Sequence, residues 1–175
     1  MSRAGFTIFE LVVLVAVLIA SAALVCPVVS SEKLRADRAR AEEQCRQIAV
    51  ALQAYLRETG HTASAIVADS LTGRPLHWLI GPGEPPRINP FRDDGPGGRL
   101  ADFLLRPDPR NPAWSGPRIE RLDPDPWGRA YLVNTHGLVT PAEHTWILSA
   151  GPNGIVETVP ESRETGGDDI GRVLP

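Results

Sequence analysis

The sequence has few cysteines, the residues on which disulfide-stabilised secreted domains depend. Its 175 residues contain two cysteines, Cys26 and Cys45. On one continuous helix these residues would lie roughly 28 Å apart, which is too far for a disulfide. We therefore expect two buried thiols in a domain without a disulfide framework, with a bridge between subunits as the alternative.

Recognisable catalytic patterns are also missing. The four histidines are dispersed without metal-ligand spacing, and the sequence contains no Gly-x-Ser-x-Gly or phosphate-loop motif. The net charge of −3 gives no general attraction to nucleic acid or anionic lipid. We therefore expect a protein that is not an enzyme and that has no nucleic-acid partner.

The longest apolar run covers residues 6–29 and carries one formal charge, Glu10. A helix of that length spans roughly 36 Å, enough to cross a hydrocarbon core of about 30 Å. An isolated carboxylate in lipid costs at least ~2.5 kcal/mol, so such acids usually have a partner. Cleavage between Gly5 and Phe6 would create an α-amino group that could pair with Glu10 of the same chain or of a neighbour.

A short leader that ends in Gly5, followed by Phe6, Thr7, Glu10 and an apolar run, resembles the N-terminus of type IV pilins and type II secretion pseudopilins. The resemblance implies that a prepilin peptidase cleaves after Gly5 and methylates Phe6. It also implies that Glu10 guides subunits into a helical filament.

Three other interpretations of the apolar run remain open. Residues 11–19 could be the apolar region of a secretory signal peptide that is cleaved at residues 20–22. A lipoprotein box could end at Cys26, although bulky Val25 precedes it. A plain membrane anchor would explain the hydrophobicity but not Glu10.

The next segment has the periodicity of an amphipathic helix. Pro27 predicts a bend or an end, after which the helix resumes near Ser30 or Ser31 and finishes before Gly60. Its apolar or small residues recur on one face of a 3.6-residue helix: Leu34, Ala41, Cys45, Ile48, Leu52, Tyr55 and Leu56. We expect this face to pack on the rest of the domain.

Residues 73–128 contain 12 of the 17 prolines and 8 of the 16 glycines, which predicts a long irregular loop. One short helix is expected around residues 100–106, before Pro107. The loop should be ordered by apolar anchors that pack on the helix: Trp78, Leu79, Ile80, Phe91, Phe103, Leu104, Leu105 and Trp114.

Downstream, residues 125–128 read Asp-Pro-Trp-Gly, which is typical of a type I turn. Strands are predicted at residues 130–133 and 144–149, with turns near His136 and at residues 151–154. These turns, together with the sequence Asp-Asp-Ile-Gly at residues 168–171, resemble the major pseudopilin of type II secretion.

That resemblance implies a calcium site in the C-terminal loop, with Asn153, Asp168 and Asp169 as the candidate ligands. Ca²⁺ takes six to eight oxygen ligands, which paired carboxylates and loop carbonyls can supply. Two departures count against the site. An Asp expected at position 153 is an amide, and about eight extra residues within 155–165 separate the two halves of the site.

The expected fold is α+β and pilin-like: a long N-terminal helix, transmembrane in its first half, packs on a small antiparallel sheet with a long Pro/Gly-rich loop. The expected segments are a leader at residues 1–5, a membrane or filament-core helix at 6–29 and a periplasmic domain at 30–175. That domain comprises an amphipathic helix (30–60), a variable loop region (61–124) and a β-meander with a C-terminal loop (125–175).

The expected function is that of a structural subunit of a type II secretion pseudopilus, anchored in the bacterial inner membrane before it assembles in the periplasm. Its expected partners are other copies of itself, other pseudopilins, the prepilin peptidase and the inner-membrane assembly platform. Calcium, in a structural role, is the only cofactor expected. The alternatives are a type IV pilin for adhesion, motility or DNA uptake, and a membrane-anchored periplasmic domain that does not assemble.

Overall fold

The computed structural model describes residues 7–59, 76–92, 96–106, 116–138, 140 and 142–174, with the backbone alone at 22–29, 59, 92 and 136. The chain divides into two units, Met1–Asp37 and Arg38–Pro175. Helix α1 spans Ile8–Thr59 and contributes residues to both. Its backbone is helical through Pro27, so the helix does not end there.

The first unit contains the N-terminal part of α1, whose large apolar side chains are exposed. Ten of them lie between Ile8, at 83% exposure, and Ile19, at 66%. The hydroxyl of Ser21 donates to the carbonyl of Val17 at 2.7 Å, which satisfies a polar group within the apolar stretch. Over the residues that the structure describes, no helical stretch combines the length and hydrophobicity that crossing a bilayer requires.

The second unit contains a five-stranded sheet in the order β2-β1-β3-β4-β5. The strands are β1 (Trp78–Ile80), β2 (Gly97–Arg99), β3 (Leu132–Asn134), β4 (Trp146–Ser149) and β5 (Ile170–Val173). A short helix α2 spans Leu100–Leu104, and 3₁₀ turns occur at Pro90–Arg92 and His136–Leu138.

The sheet is mixed, because β1 and β2 are parallel while the other pairs are antiparallel. The prediction of an antiparallel sheet is therefore wrong at one edge. Parallel neighbours need a connection of a dozen or more residues, and residues 81–96 provide one. The Pro/Gly-rich stretch thus supplies two strands and α2 to the fold.

One face of the sheet packs on the second half of α1. The predicted helix face is confirmed from Ala41 to Tyr55, whereas Leu34 is 40% exposed. Leu79, Val133 and Ile147 meet this face from the sheet, with Phe103 and Leu104 from α2.

The opposite face of the sheet is covered by loops. Leu132, Trp146 and Leu148 lie in a second apolar cluster with Phe91 and Val156. Trp78 and Ile80 pack against the same cluster, so these two residues and Phe91 do not anchor the loop to the helix as predicted. Trp114 lies outside the described residues.

Candidate functional site

The N-terminal motif forms a capping box at the start of α1. Both the backbone N–H and the hydroxyl of Thr7 donate to Oε2 of Glu10 at 2.9 Å, and the N–H of Glu10 donates to Oγ1 of Thr7 at 3.3 Å. The expected cleavage-site residues, Gly5 and Phe6, lie outside the described residues. Spacing of Thr and Glu three residues apart is a capping signal that could have been read from the sequence.

Asp125 joins the Asp-Pro-Trp-Gly turn to the end of β4. Its side chain is 4% exposed. Oδ1 accepts the backbone N–H groups of Trp127 and Arg129 at 2.9 and 2.8 Å, and Oδ2 accepts the hydroxyl of Ser149 at 2.5 Å. Gly128 has φ +83°, which a glycine adopts without strain. The carboxylate therefore fixes both the turn and the strand that leads to the next loop.

The turn at residues 151–154 is hydrogen-bonded to Arg129 on one side and to Asp168 on the other. The guanidinium of Arg129 donates to the carbonyl of Gly151. A Cβ at Gly154 would lie 2.5 Å from Nε of Arg129, and one at Gly151 would collide with the carbonyl of Asp168. Glycine is therefore required on both sides of this turn.

The two candidate aspartates lie beside this turn. Oδ2 of Asp168 accepts the backbone N–H of Asn153 at 3.0 Å. Oδ2 of Asp169 accepts the N–H groups of Glu157 and Thr158 and the hydroxyl of Thr158, at 2.7–2.8 Å. Oδ1 of each aspartate is buried and has no hydrogen-bond partner in the described part of the chain. Burial raises the pKa of Asp169 above its usual value, because a charged carboxylate loses its hydration.

The side chain of Asn153 is already engaged within the loop. Its Oδ1 accepts the N–H of Ile155 at 2.6 Å, and its Nδ2 donates to Oε2 of Glu157 at 3.0 Å. Within the described residues, no three His, Cys, Asp or Glu side chains are grouped as a metal site. Two buried carboxylate oxygens without donors nevertheless have the chemistry that a hard cation prefers.

The structure thus brings together three predicted motifs that lie far apart in sequence. We define the loop cluster as the turn at residues 125–128, the turn at 151–154 and the segment 166–169. Sequence reasoning named the candidate ligands, which stay a prediction, but missed Arg129, Glu157 and Thr158, whose roles depend on contacts between loops. Glu10 belongs to the first unit and not to the loop cluster.

No protein-family model matches the chain. It is 28% identical to the type II secretion system core protein G of Escherichia coli (strain K12) over 157 residues, which is 88% of this chain and 85% of that protein. It is 27% identical to the core protein G of Dickeya chrysanthemi, covering 95% of this chain and 84% of the relative. The predicted resemblance to the major pseudopilins of type II secretion is thus confirmed over most of the chain.

A further relative is the core protein G of Pectobacterium carotovorum subsp. carotovorum, which is 28% identical over 169 residues. These cover 95% of this chain and 82% of the relative. Among solved structures, the chain resembles the major pseudopilin of the type 2 secretion system of enterohaemorrhagic Escherichia coli. The TM-score is 0.44 and the identity 20%, covering 82% of this chain and 91% of that one.

Proposed function

We propose that this chain is a structural subunit of a type II secretion pseudopilus, and that assembly of the subunits drives protein export. The observation that carries the proposal is the N-terminal motif, with an acid at the start of a helix whose apolar side chains are exposed. The family relatives, which are named as core components of this system, support the same function. Its partners are other pseudopilins, including further copies of itself.

The exposed apolar side chains of α1 supply the cohesion of the filament. Full burial of one Val, Leu, Ile or Phe side chain stabilises a structure by about 1.5–3 kcal/mol. Ten such side chains between Ile8 and Ile19 are exposed in the described structure. Packing of these residues in a bundle of neighbouring helices, or in the membrane before assembly, provides the burial that the described chain does not.

Glu10 sets the register of the assembly. The capping box uses Oε2, and Oε1 has no hydrogen-bond partner in the described part of the chain. After cleavage between Gly5 and Phe6, the methylated amine of a neighbouring subunit can pair with this oxygen. The segment 6–29 holds the subunit in the inner membrane until then, with residues 30–175 in the periplasm.

Calcium is the proposed ligand of the loop cluster. Asp168 and Asp169 would hold the ion through their unpartnered Oδ1 atoms. Asn153 is less well placed, because its Oδ1 accepts the N–H of Ile155. When bound, the ion supplies positive charge that compensates the buried carboxylates and joins residues 151–154 to 166–169.

The first test is the mass and N-terminal sequence of the membrane-purified protein, expressed with and without a prepilin peptidase. We expect a chain that begins at methylated Phe6 only when the peptidase is present. A chain that begins after Ala22 would indicate ordinary secretion, and an intact Met1 under both conditions would indicate a plain anchor. Either result would overturn the proposal.

The second test separates assembly from folding. Glu10→Gln should abolish filaments seen by electron microscopy while the thermal unfolding midpoint in detergent stays unchanged. Glu32→Gln is the matched control, because Glu32 lies on the same helix in an exposed pair with Arg35. Filaments of normal yield from Glu10→Gln would contradict the role of this carboxylate.

A further inference from the structure

Strand β5 forms one edge of the sheet, since it pairs with β4 on one side and no described residue pairs with its other side. Leu174 donates its N–H to the carbonyl of Thr145 at 2.8 Å, and this contact continues the register of the two strands. Backbone groups alternate in direction along a strand, so those of Arg172 face β4, whereas those of Gly171 and Val173 face away from it. Two residues of this edge can therefore hydrogen-bond a further strand.

An open groove with a volume of about 910 Å³ lies beside this edge and is also bordered by residues 163–165. Its apolar lining residues are Trp146, Val173 and Leu174. The N–H of His144 donates to the carbonyl of Pro160 at 2.8 Å, and the indole of Trp146 donates to that of Ser162 at 3.1 Å. The loop beside the groove is thus fixed to the start of β4, and the volume lies in the range of ligand-binding clefts.

The charged side chains around the groove are mainly positive. Arg172 and Arg163 are exposed, and Nε of Arg163 donates to Nε2 of His144 at 3.4 Å. Among the described residues that line the groove, Glu164 is the one acid. A charged residue on an edge strand often serves to prevent aggregation. Here two arginines border a groove beside unpaired backbone groups, which favours an acidic ligand.

We infer that the edge of β5 binds an extended, acidic segment of another protein by strand addition. The backbone of the segment hydrogen-bonds Gly171 and Val173, its apolar side chains enter the groove, and its acidic side chains pair with the arginines. A second copy of this chain is disfavoured, because antiparallel pairing through both Gly171 and Val173 would place the two Arg172 side chains opposite each other. All of these residues belong to the second unit, so the site is independent of the N-terminal cleavage and assembly motif.

The first experiment measures, by fluorescence anisotropy, how a short labelled peptide of alternating valine and glutamate binds the full-length protein in detergent. Arg172→Glu should weaken binding about tenfold, because an attraction becomes a repulsion. Arg106→Glu is the matched control and should bind like the parent, because Arg106 follows α2, which contacts β2 at the opposite edge of the sheet. A peptide of alternating valine and lysine should bind about tenfold more weakly than the glutamate peptide. Equal binding of the two peptides would overturn the inference.

The second experiment tests the backbone contacts. Val173→Pro removes an N–H that faces away from β4 and keeps the bonds of Arg172 and Leu174 to β4, so the fold should be retained while peptide binding is lost.

Whatever the stability of this variant, the peptide can be N-methylated at its valines or at its glutamates without any change to the protein. One of the two methylated peptides should lose binding, since only one set of N–H groups faces β5. Undiminished binding of both, or no binding of the glutamate peptide to the parent, would contradict strand addition. A parent dimer in analytical ultracentrifugation that Val173→Pro abolishes would also overturn the inference, because the occupant would then be a second copy.

Discussion

The two halves of helix α1 place their apolar residues in opposite environments. Between Ile8 and Ile19 large apolar side chains are exposed around the helix, with fractions from 45% to 83%. Between Ala41 and Tyr55 the apolar side chains occupy one face and are buried against the sheet and α2. The first half carries no stripe of polar residues, and the second does. A helix that is apolar all round requires burial by other chains or lipid, whereas an amphipathic helix can be buried by its own domain.

The most direct test of this difference between the two halves of α1 is to truncate one leucine to alanine in each half. Leu52 is 1% exposed, and Leu52→Ala should lower the free energy of unfolding by about 2–5 kcal/mol, because it leaves a cavity in the core. Leu14 is 51% exposed, and Leu14→Ala should leave unfolding unchanged and reduce filament yield. Denaturant unfolding in detergent measures the first effect and electron microscopy the second. Equal losses of stability would contradict the division of the helix.

The second prediction concerns Arg118, which ties the end of α1 to the segment after α2. Its side chain is 3% exposed, forms an ion pair with Glu58 and lies 5.0 Å from the ring centroid of Tyr55. Removing one partner of a buried ion pair costs about 3–5 kcal/mol. Because Glu58 is one-third exposed and stays partly hydrated, we expect about 3 kcal/mol for Arg118→Ala.

Denaturant unfolding measures this effect, and Arg106→Ala is its control. The pair of Arg106 with Asp102 is exposed on both sides, so its loss should not be measurable. A similarly small effect of Arg118→Ala would mean that the segment after α2 is held by its apolar residues alone.

A smaller effect is expected for Ser149→Ala in the loop cluster. The change removes the donor to Oδ2 of Asp125, and hydrogen bonds to charged groups contribute about 1.5–3 kcal/mol. We expect a loss near the lower value, because Oδ1 keeps its two backbone donors. Ser162→Ala, whose side chain makes only exposed local hydrogen bonds, should change the unfolding midpoint much less.

The last prediction, with the smallest expected effect, concerns the rate at which the thiol of Cys45 is alkylated. Burial raises the pKa of this thiol to about 12, so almost none of it is thiolate at pH 8. In a Cys26→Ser background, alkylation of the native protein should therefore be slow and should become fast in denaturant. Because the thiolate fraction increases tenfold per pH unit below the pKa, the native rate should still increase between pH 8 and 10. Fast labelling of the native protein would mean that this face of α1 is not packed as described.

The sequence predicted the elements whose apolar residues follow a clear pattern. The face of α1 from Ala41 to Tyr55 follows a helical period, and the strands containing Leu132 and Trp146 were predicted to within two residues at each end. Strands β1, β2 and β5 were missed, although β1 and β2 are as long as β3, and β5 is as long as β4. In β2 the residues Gly97 and Gly98 contradict strand propensity. A Cβ at Gly97 would collide with Trp78, so packing selects glycine there.

The sequence by itself determined the N-terminal motif with its acid at residue 10 and the amphipathic half of α1, because these depend on spacing along one helix. Only the tertiary structure decided the parallel edge of the sheet and the composition of the loop cluster. Asp125 and Ser149 are 24 residues apart, and Asn153 and Asp168 are 15 apart. No local period connects such pairs, since their contacts form only when the sheet has brought the turns together.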